Sequence, residues 1–271
     1  TDEQALVAVD ESLKSARSSF SIPGGDIEII DPDPELGFHL PYALYTPDTT
    51  IDGIPIYVEP LNNTDINSRA ALREELRAAS IISVAEDLRL PALVPGLPYL
   101  RPEGNDEVAS LELPSVNRPG RLGRIETDDF PAESLRRVDR QVVEMIRDAK
   151  DRLADAGYSV ASTIHMQGFS ASAQFASRFA FLYPQLVNTL TLGGNGAYPL
   201  PKATHKGAEL PYPLGTANYE SITGRAFDRE RWAQITQYIY VGREDQPSSG
   251  NESDYYSISH AYEERAVSVF G

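Results

Sequence analysis

Cysteine is absent from this sequence of 271 residues, which excludes disulfides, thiolate metal sites and a cysteine nucleophile. Basic residues are also scarce, since 24 lysines and arginines stand against 40 aspartates and glutamates, for a formal net charge of −16. Nucleic acids and anionic membrane surfaces attract basic proteins, so we expect neither as a partner. No apolar run is long enough to span a bilayer.

Histidine is rare as well. The four residues His39, His165, His205 and His260 are scattered along the chain, and no pair has the i, i+4 spacing of a helical metal site. We therefore expect no metal and no cofactor.

The length favours one large α/β domain over two small ones. The first residues are charged throughout and are not a signal peptide. Because the chain begins with Thr1, a leader could already have been removed. The compartment of this soluble protein stays open between the bacterial cytoplasm and secretion.

Short apolar runs alternate with helical patterns. Strands are predicted at 27–30, 40–45, 54–58, 91–95, 161–167, 187–192 and 235–241, and helices at 67–88, 132–156, 171–182 and 257–270. Residues 1–20 are predicted to be a polar, weakly helical lead-in. Such an alternation predicts an α/β fold with a mainly parallel sheet flanked by helices.

Two irregular segments interrupt this alternation, at 96–130 and 197–232. Both follow predicted strands, and open α/β sheets bind ligands at the carboxyl ends of their strands. We therefore predict insertions there, with 197–232 as a cap or lid. Its aromatic residues would line an acyl pocket or, alternatively, pack the insertion onto the sheet; they are Tyr198, Tyr212, Tyr219 and Trp232.

The pentapeptide Gly168-Phe169-Ser170-Ala171-Ser172 lies between a predicted strand and a predicted helix. A serine at such a turn is typical of the nucleophile elbow of α/β-hydrolases, in which small residues flank the serine at two positions on each side. Gly168 meets that need, and Ser172 stands where the usual pattern has glycine. The alternative is an ordinary strand-turn-helix. Ser170 is the predicted nucleophile.

A serine nucleophile needs an acid, a base and oxyanion donors. Asp245, just after the last predicted strand, is the predicted acid, with Glu244 as the substitute and a solvated loop charge as the alternative. The Ala171 amide and an amide from Leu61, Asn62 or Asn63 are the predicted oxyanion donors. A surface turn or a chance glycosylation sequon would equally explain Asn62-Asn63-Thr64.

The predicted base is His260, the one histidine that follows Asp245 in the chain. His165 lies within the strand before the elbow and is predicted to be a packed core residue. His205 lies in the second insertion. No further strand is predicted between Asp245 and His260, which favours a chain truncated after Gly271, without its last helix and strand. The Gly193-Gly194-Asn195-Gly196 loop is predicted to allow close backbone packing beside the elbow.

From about residue 50 to 271 the chain resembles the α/β-hydrolase superfamily, and within it bacterial serine hydrolases of polyhydroxybutyrate-depolymerase-like and acyl-esterase-like type. The resemblance is carried by Val58-Glu59-Pro60 with Asn62-Asn63-Thr64, by Asp139-Arg140-Gln141, by the stretch 165–184, and by Tyr238-Ile239-Tyr240-Val241-Gly242 with Asp245. Members of this group commonly place their histidine in a Gly-x-Gly-His stretch, which this chain lacks.

The resemblance implies a single α/β-hydrolase domain over residues 1–271. It implies a serine hydrolase that cleaves an ester or related acyl bond of a small or polymeric substrate through Ser170, Asp245 and His260. Two alternatives stay open: a non-catalytic binding module of the same fold, and a serine peptidase with the same site. A C-terminal remainder of the same polypeptide is a further expected partner.

Overall fold

The structure is a computed structural model that describes residues 19–49, 52–62, 66, 68–78, 81–98, 129–195 and 198–242. Its main feature is a sheet of eight strands. These strands are β1 (Ser19–Ile22), β2 (Gly25–Ile30), β3 (Tyr42–Pro47), β4 (Ile54–Val58), β5 (Ala92–Pro95), β6 (Val160–Phe169), β7 (Val187–Gly193) and β10 (Thr236–Tyr240). A separate two-stranded ribbon contains β8 (Thr204–His205) and β9 (Ala208–Glu209).

The strands of the large sheet lie in the order β1-β2-β3-β5-β4-β6-β7-β10. β1, β2, β3 and β5 pair antiparallel in succession, whereas every pair from β5 to β10 is parallel. The predicted sheet of mainly parallel strands is thus confirmed, as are the seven predicted strands to within a few residues. The prediction for residues 19–20 was wrong, because they begin β1, which the turn at Pro23-Gly24 folds back onto β2.

Helices flank the sheet. They are α1 (Arg69–Ala78), α2 (Ile81–Leu88), α3 (Val138–Asp155), α4 (Ala171–Leu182), α5 (Tyr219–Thr223) and α6 (Arg229–Ala233). The helix predicted at 67–88 contains two separate helices, α1 and α2. The helix predicted at 132–156 starts as a 3₁₀ turn, Ala132–Leu135, before α3 begins. The helix predicted at 171–182 is confirmed as α4.

The two faces of strand β6 differ in polarity, and this difference positions the nucleophile. Ile164, Met166 and Gly168 are buried on the face that α4 covers, whereas His165 and Gln167 on the other face are partly exposed. The alternation follows from the period-2 geometry of a strand. β6 is a central strand and is parallel to both of its neighbours. Ser170, which follows β6, therefore lies near the middle of the row formed by the carboxyl ends of the parallel strands.

The second predicted insertion connects the carboxyl end of β7 to the start of β10 and contains the ribbon, α5 and α6. Tyr219 and Trp232 pack their rings edge-on against Phe181 in α4, at centroid distances of 5.7 and 5.5 Å. The Tyr219 hydroxyl donates to the Leu182 carbonyl at 2.9 Å. These two residues therefore attach the insertion to the far end of α4 from Ser170. Tyr198 and Tyr212 are buried too.

Several predictions fall outside the residues that the structure describes: most of the insertion at 96–130, Glu244, Asp245, His260 and the helix at 257–270. The cap or lid and the domain boundaries stay predictions. Within the described ranges, no helix has the length and apolarity to cross a membrane.

Candidate functional site

The turn from β6 into α4 has the backbone geometry of a nucleophile elbow. Ser170 lies between the two elements with φ 56° and ψ −119°, in a region that side-chain-bearing residues rarely adopt, and it is exposed. A Cβ at Gly168 would lie 2.4 Å from the Ser172 carbonyl carbon and oxygen. Strand and helix therefore approach so closely that only glycine fits at position 168, as predicted.

Ser172 replaces the second glycine of the usual pattern and braces the turn. It is fully buried. Its Oγ accepts a hydrogen bond from the Phe169 amide and donates one to the Phe169 carbonyl oxygen, both at 2.9 Å. One hydroxyl thus satisfies two backbone groups at the turn that presents Ser170.

The neighbouring strand β7 supports the elbow from the side. The Ser170 amide donates to the Gly193 carbonyl at 2.8 Å, so this amide is directed away from an oxyanion. A Cβ at Gly193 would lie 2.3 Å from the Tyr240 ring, which explains why the ring can stack on exposed Phe169 with centroids 6.4 Å apart. Of the predicted close backbone packing, the Gly193 carbonyl's contact with the Ser170 amide is observed, whereas the tight neighbour of the Gly193 α-carbon is the Tyr240 ring.

The predicted oxyanion donors follow the carboxyl ends of β4 and β6, as Ser170 does. Ala171 is the first residue of α4, and the first amides of a helix have no acceptor within it. Leu61 is buried and Asn62 is exposed, and both follow β4, the neighbour of β6. Asn63 lies outside the described residues. The topology thus brings the two sources of amides to neighbouring strand ends.

His165, His205 and His39 are the three histidines within the described residues. His165 lies five residues before Ser170 on β6, about 16 Å along the strand, with a pKa that burial lowers. His205 lies in the ribbon, with its Nδ1 2.8 Å from the Lys202 ammonium nitrogen. His39 precedes β3 and its amide donates to the Gln141 side chain at 2.8 Å. His260 and Asp245 stay predictions.

Glu59 is a candidate that the sequence analysis overlooked. It directly follows β4 at the sheet edge that carries Ser170, and Oε2 accepts a hydrogen bond from the Tyr57 hydroxyl at 3.2 Å. Burial raises the pKa of Glu59 to about 7, partly offset by the Tyr57 hydrogen bond. A carboxyl group placed between Val58 and Pro60 at a predicted strand end was the available signal. Glu59 can therefore change its charge near neutral pH.

No metal site joins this candidate site: the described ranges contain no group of three or more histidines, aspartates and glutamates that could hold an ion. The arrangement that is present is an exposed, strained serine between a helix N-terminus and a neighbouring loop. This arrangement can present a hydroxyl to a carbonyl carbon and backbone amides to the oxygen that becomes charged.

No family model matches the sequence, and a search of curated proteins finds no match either. Among solved structures, the chain is similar to poly(aspartic acid) hydrolase-1 from Sphingomonas sp. KT-1, with 15% identity, 90% of this chain and 86% of that chain covered, and a TM-score of 0.49. It is also similar to LpqC, a poly(3-hydroxybutyrate) depolymerase from Bordetella parapertussis, with 18% identity, 92% and 79% covered, and a TM-score of 0.49. A third similar structure is an S-formylglutathione hydrolase from Agrobacterium tumefaciens, with 15% identity, 90% of this chain and 85% of that chain covered, and a TM-score of 0.47.

At these identities and scores, the fold is identified by the topology of the chain itself. Two features matter: the parallel strands in the order β5-β4-β6-β7-β10 with antiparallel strands before them, and the strained serine between β6 and α4. Together they give the chain the α/β-hydrolase fold.

Proposed function

We propose that this protein is a serine hydrolase that cleaves an ester or related acyl bond, with Ser170 as its nucleophile. The observation that carries the proposal is the backbone of Ser170, which is held at φ 56° between β6 and α4 while the residue stays exposed. Strain of this kind persists only where the surroundings enforce it, and it clusters at catalytic sites. Here Gly168, Ser172 and Gly193 enforce it.

The proposed reaction has two steps. The Ser170 hydroxyl attacks the substrate carbonyl carbon while His260 takes the hydroxyl proton, and Asp245 orients the resulting imidazolium. The Ala171 amide and an amide from Leu61 or Asn62 bind the oxyanion. The alcohol leaves with the proton from His260, and water then hydrolyses the acyl-enzyme by the same route. The substrate is a small or polymeric acyl compound, and no cofactor takes part.

A second candidate function is a binding module of the same fold without catalysis. The placement of the described histidines favours it: His165 lies about 16 Å along β6 from Ser170, and His205 is engaged with Lys202. If His260 does not reach the serine either, the strained turn would present a hydroxyl without a base. A serine peptidase with the same residues is a third reading, which differs from the first only in the leaving group.

A fluorophosphonate probe distinguishes catalysis from binding, because it reacts with activated serines. We expect covalent labelling of the full chain, loss of labelling in Ser170→Ala and retained labelling in Ser177→Ala. Ser177 is a matched control since it is a buried serine of the same helix, where its hydroxyl donates to the Gln174 carbonyl. Circular dichroism shows that each variant is folded.

Two results would decide against the proposal. If the folded chain is not labelled and does not hydrolyse p-nitrophenyl esters of short acids, the binding module is the better reading. If labelling persists in Ser170→Ala, another serine is the nucleophile. Comparison of p-nitrophenyl ester and p-nitroanilide hydrolysis then separates esterase from peptidase activity.

A further inference from the structure

A pocket lies at the other end of α4 from the serine. It has a volume of about 220 Å³ and lies between the first turns of α3, the residue after α4, and the segment that follows α5. Its lining residues are Arg137, Arg140, Val143, Glu144, Tyr183, Thr223 and Arg225. Three arginines around one pocket are notable in a chain whose formal net charge is −16.

Arg137 lines this pocket, and hydrogen bonds hold its side chain in place. Its guanidinium donates two hydrogen bonds to the fully buried Asp139 carboxylate, from Nε at 2.9 Å and from an Nη at 2.5 Å. The Tyr183 hydroxyl donates to the same carboxylate at 2.6 Å. The backbone of Arg137 is left-handed, with φ 44°, which is strained for a residue with a side chain. The charge of Arg137 is therefore neutralised by Asp139, and its side chain shapes the pocket.

The Glu144 carboxylate forms an ion pair with Arg147 on the surface of α3. Arg140 and Arg225 are different: within the described ranges neither has a carboxylate within the 4.0 Å of an ion pair, and both are exposed. Arg225 donates to the Leu182 carbonyl at 2.8 Å, and its guanidinium lies 5.8 Å from the centroid of the Tyr183 ring. Among the described residues, no carboxylate pairs with these two positive charges of the pocket.

The position of the pocket adds to its preference for anions. Arg137 directly precedes α3, and Arg140, Val143 and Glu144 belong to its first two turns; the N-terminus of this 18-residue helix carries a partial positive charge. Guanidinium groups bind phosphate oxygens through paired N–H donors. We propose that this pocket binds a phosphate group, free or esterified to a small molecule, through Arg140 and Arg225.

This phosphate site is separate from the candidate active site. Ser170 precedes the first residue of α4 and Tyr183 follows the last, so the 12 residues of the helix hold the two sites about 18 Å apart. Binding in the phosphate site therefore does not depend on a catalytic Ser170, and its test is independent of the proposed hydrolysis.

Isothermal titration calorimetry of the full chain with inorganic phosphate and with glycerol phosphate tests this proposal at a constant ionic strength of about 0.15 M, where weak surface pairing is screened. We expect saturable binding with a Kd of about 1 mM or tighter for at least one ligand. Arg140→Ala and Arg225→Ala should each weaken it about tenfold. Arg229→Ala is the matched control, since Arg229 is exposed on α6 and does not line the pocket. It should change the Kd less than about twofold.

Arg140→Ala is the decisive variant, because Arg140 has no side-chain partner among the described residues and the variant should therefore melt as the parent does. Tighter binding of glycerol phosphate than of inorganic phosphate would identify an ester as the ligand, and the reverse would identify the free ion. Absence of saturable binding for both ligands, or equal binding by the parent and Arg140→Ala, would overturn the proposal. So would binding that disappears in Ser170→Ala and persists in Arg140→Ala.

Discussion

The two ends of α4 are built in contrasting ways. At the first end, Gly168 lets the backbone of β6 approach that of α4, Gly193 makes room for the Tyr240 ring, and the non-glycine residue with positive φ is Ser170. At the last end, Tyr183 meets the pair of Arg137 and Asp139, and the residue with positive φ is Arg137. Small residues fix the position of one strained residue, and charged and aromatic side chains fix that of the other.

The two ends of α4 are thus held in place by different kinds of interaction. The serine end depends on close contacts between residues that are near in sequence, so a single added methyl group disturbs it. The arginine end depends on the ion pair of Arg137 and Asp139 at the start of α3, to which Tyr183 after α4 donates a hydrogen bond, so the loss of one charge disturbs it. We therefore expect each end to fail for its own physical reason, and the variants below test that expectation.

The largest effect is expected for Gly168→Val. The first added carbon would lie 2.4 Å from Ser172 backbone atoms, which cannot move without separating β6 from α4. We expect a loss of roughly 3 kcal/mol or more in the free energy of unfolding, measured by urea denaturation, and loss of fluorophosphonate labelling. Gly224→Ala is the contrast, because Gly224 has φ 76° and nothing lies within 4 Å of its added Cβ.

Gly224→Ala should therefore lose only about 1 kcal/mol, for backbone strain, and keep its labelling. Equal losses in the two variants would mean that close packing does not hold the elbow.

Asp139→Asn probes the arginine end. The substitution leaves the half-buried guanidinium of Arg137 without its carboxylate, and breaking such a pair from one side costs about 3 kcal/mol. Asp151→Asn, on the exposed side of the same helix, should change the free energy of unfolding by less than about 0.5 kcal/mol. Fluorophosphonate labelling of folded Asp139→Asn should match that of the parent, since the change lies at the far end of α4. A large loss of labelling would show that the two ends are coupled.

The serine end of α4 was easier to predict from the sequence than the arginine end. The elbow could be predicted because its strand, serine and helix are consecutive, and the strands β4 and β5 because each is a short apolar run. The association of Asp139 with Tyr183 could not, because 44 residues separate them and no local pattern specifies which helix ends meet. β1 was missed because its residues Ser19 to Ile22 are half polar and half exposed.

A carboxyl group that is at least partly removed from water occurs near each end, and the two differ in their partners. Asp139 forms an ion pair with Arg137. Glu59 accepts a hydrogen bond from the Tyr57 hydroxyl, and burial raises its pKa to about 7. Since the folded pKa exceeds the unfolded value of 4.5, the folded state binds more protons between these values and stability falls as pH rises from 4.5 to 7.

Glu59→Gln removes this titration and keeps an acceptor for Tyr57. We expect the variant to be more stable than the parent at pH 8, by on the order of 1–3 kcal/mol, and equal to it at pH 4. The exposed Glu230→Gln should show no such pH-dependent difference. Urea denaturation at both pH values measures it. A difference that is the same at pH 4 and pH 8 would assign the effect to packing instead of charge.

The smallest effect is expected at Ser172, the residue that departs from the usual small-residue pattern. Its hydroxyl bonds both the amide and the carbonyl of Phe169, so Ser172→Ala leaves two backbone groups of the turn without that partner while the packing is nearly kept. We expect a loss of about 1–2 kcal/mol in the free energy of unfolding and a modest slowing of labelling at Ser170. Ser172→Gly restores the usual residue but adds the flexibility of glycine within a helix, a further loss of about 1 kcal/mol. If Ser172→Gly is instead as stable as the parent, close approach alone holds the elbow, and the hydroxyl bridge is incidental to it.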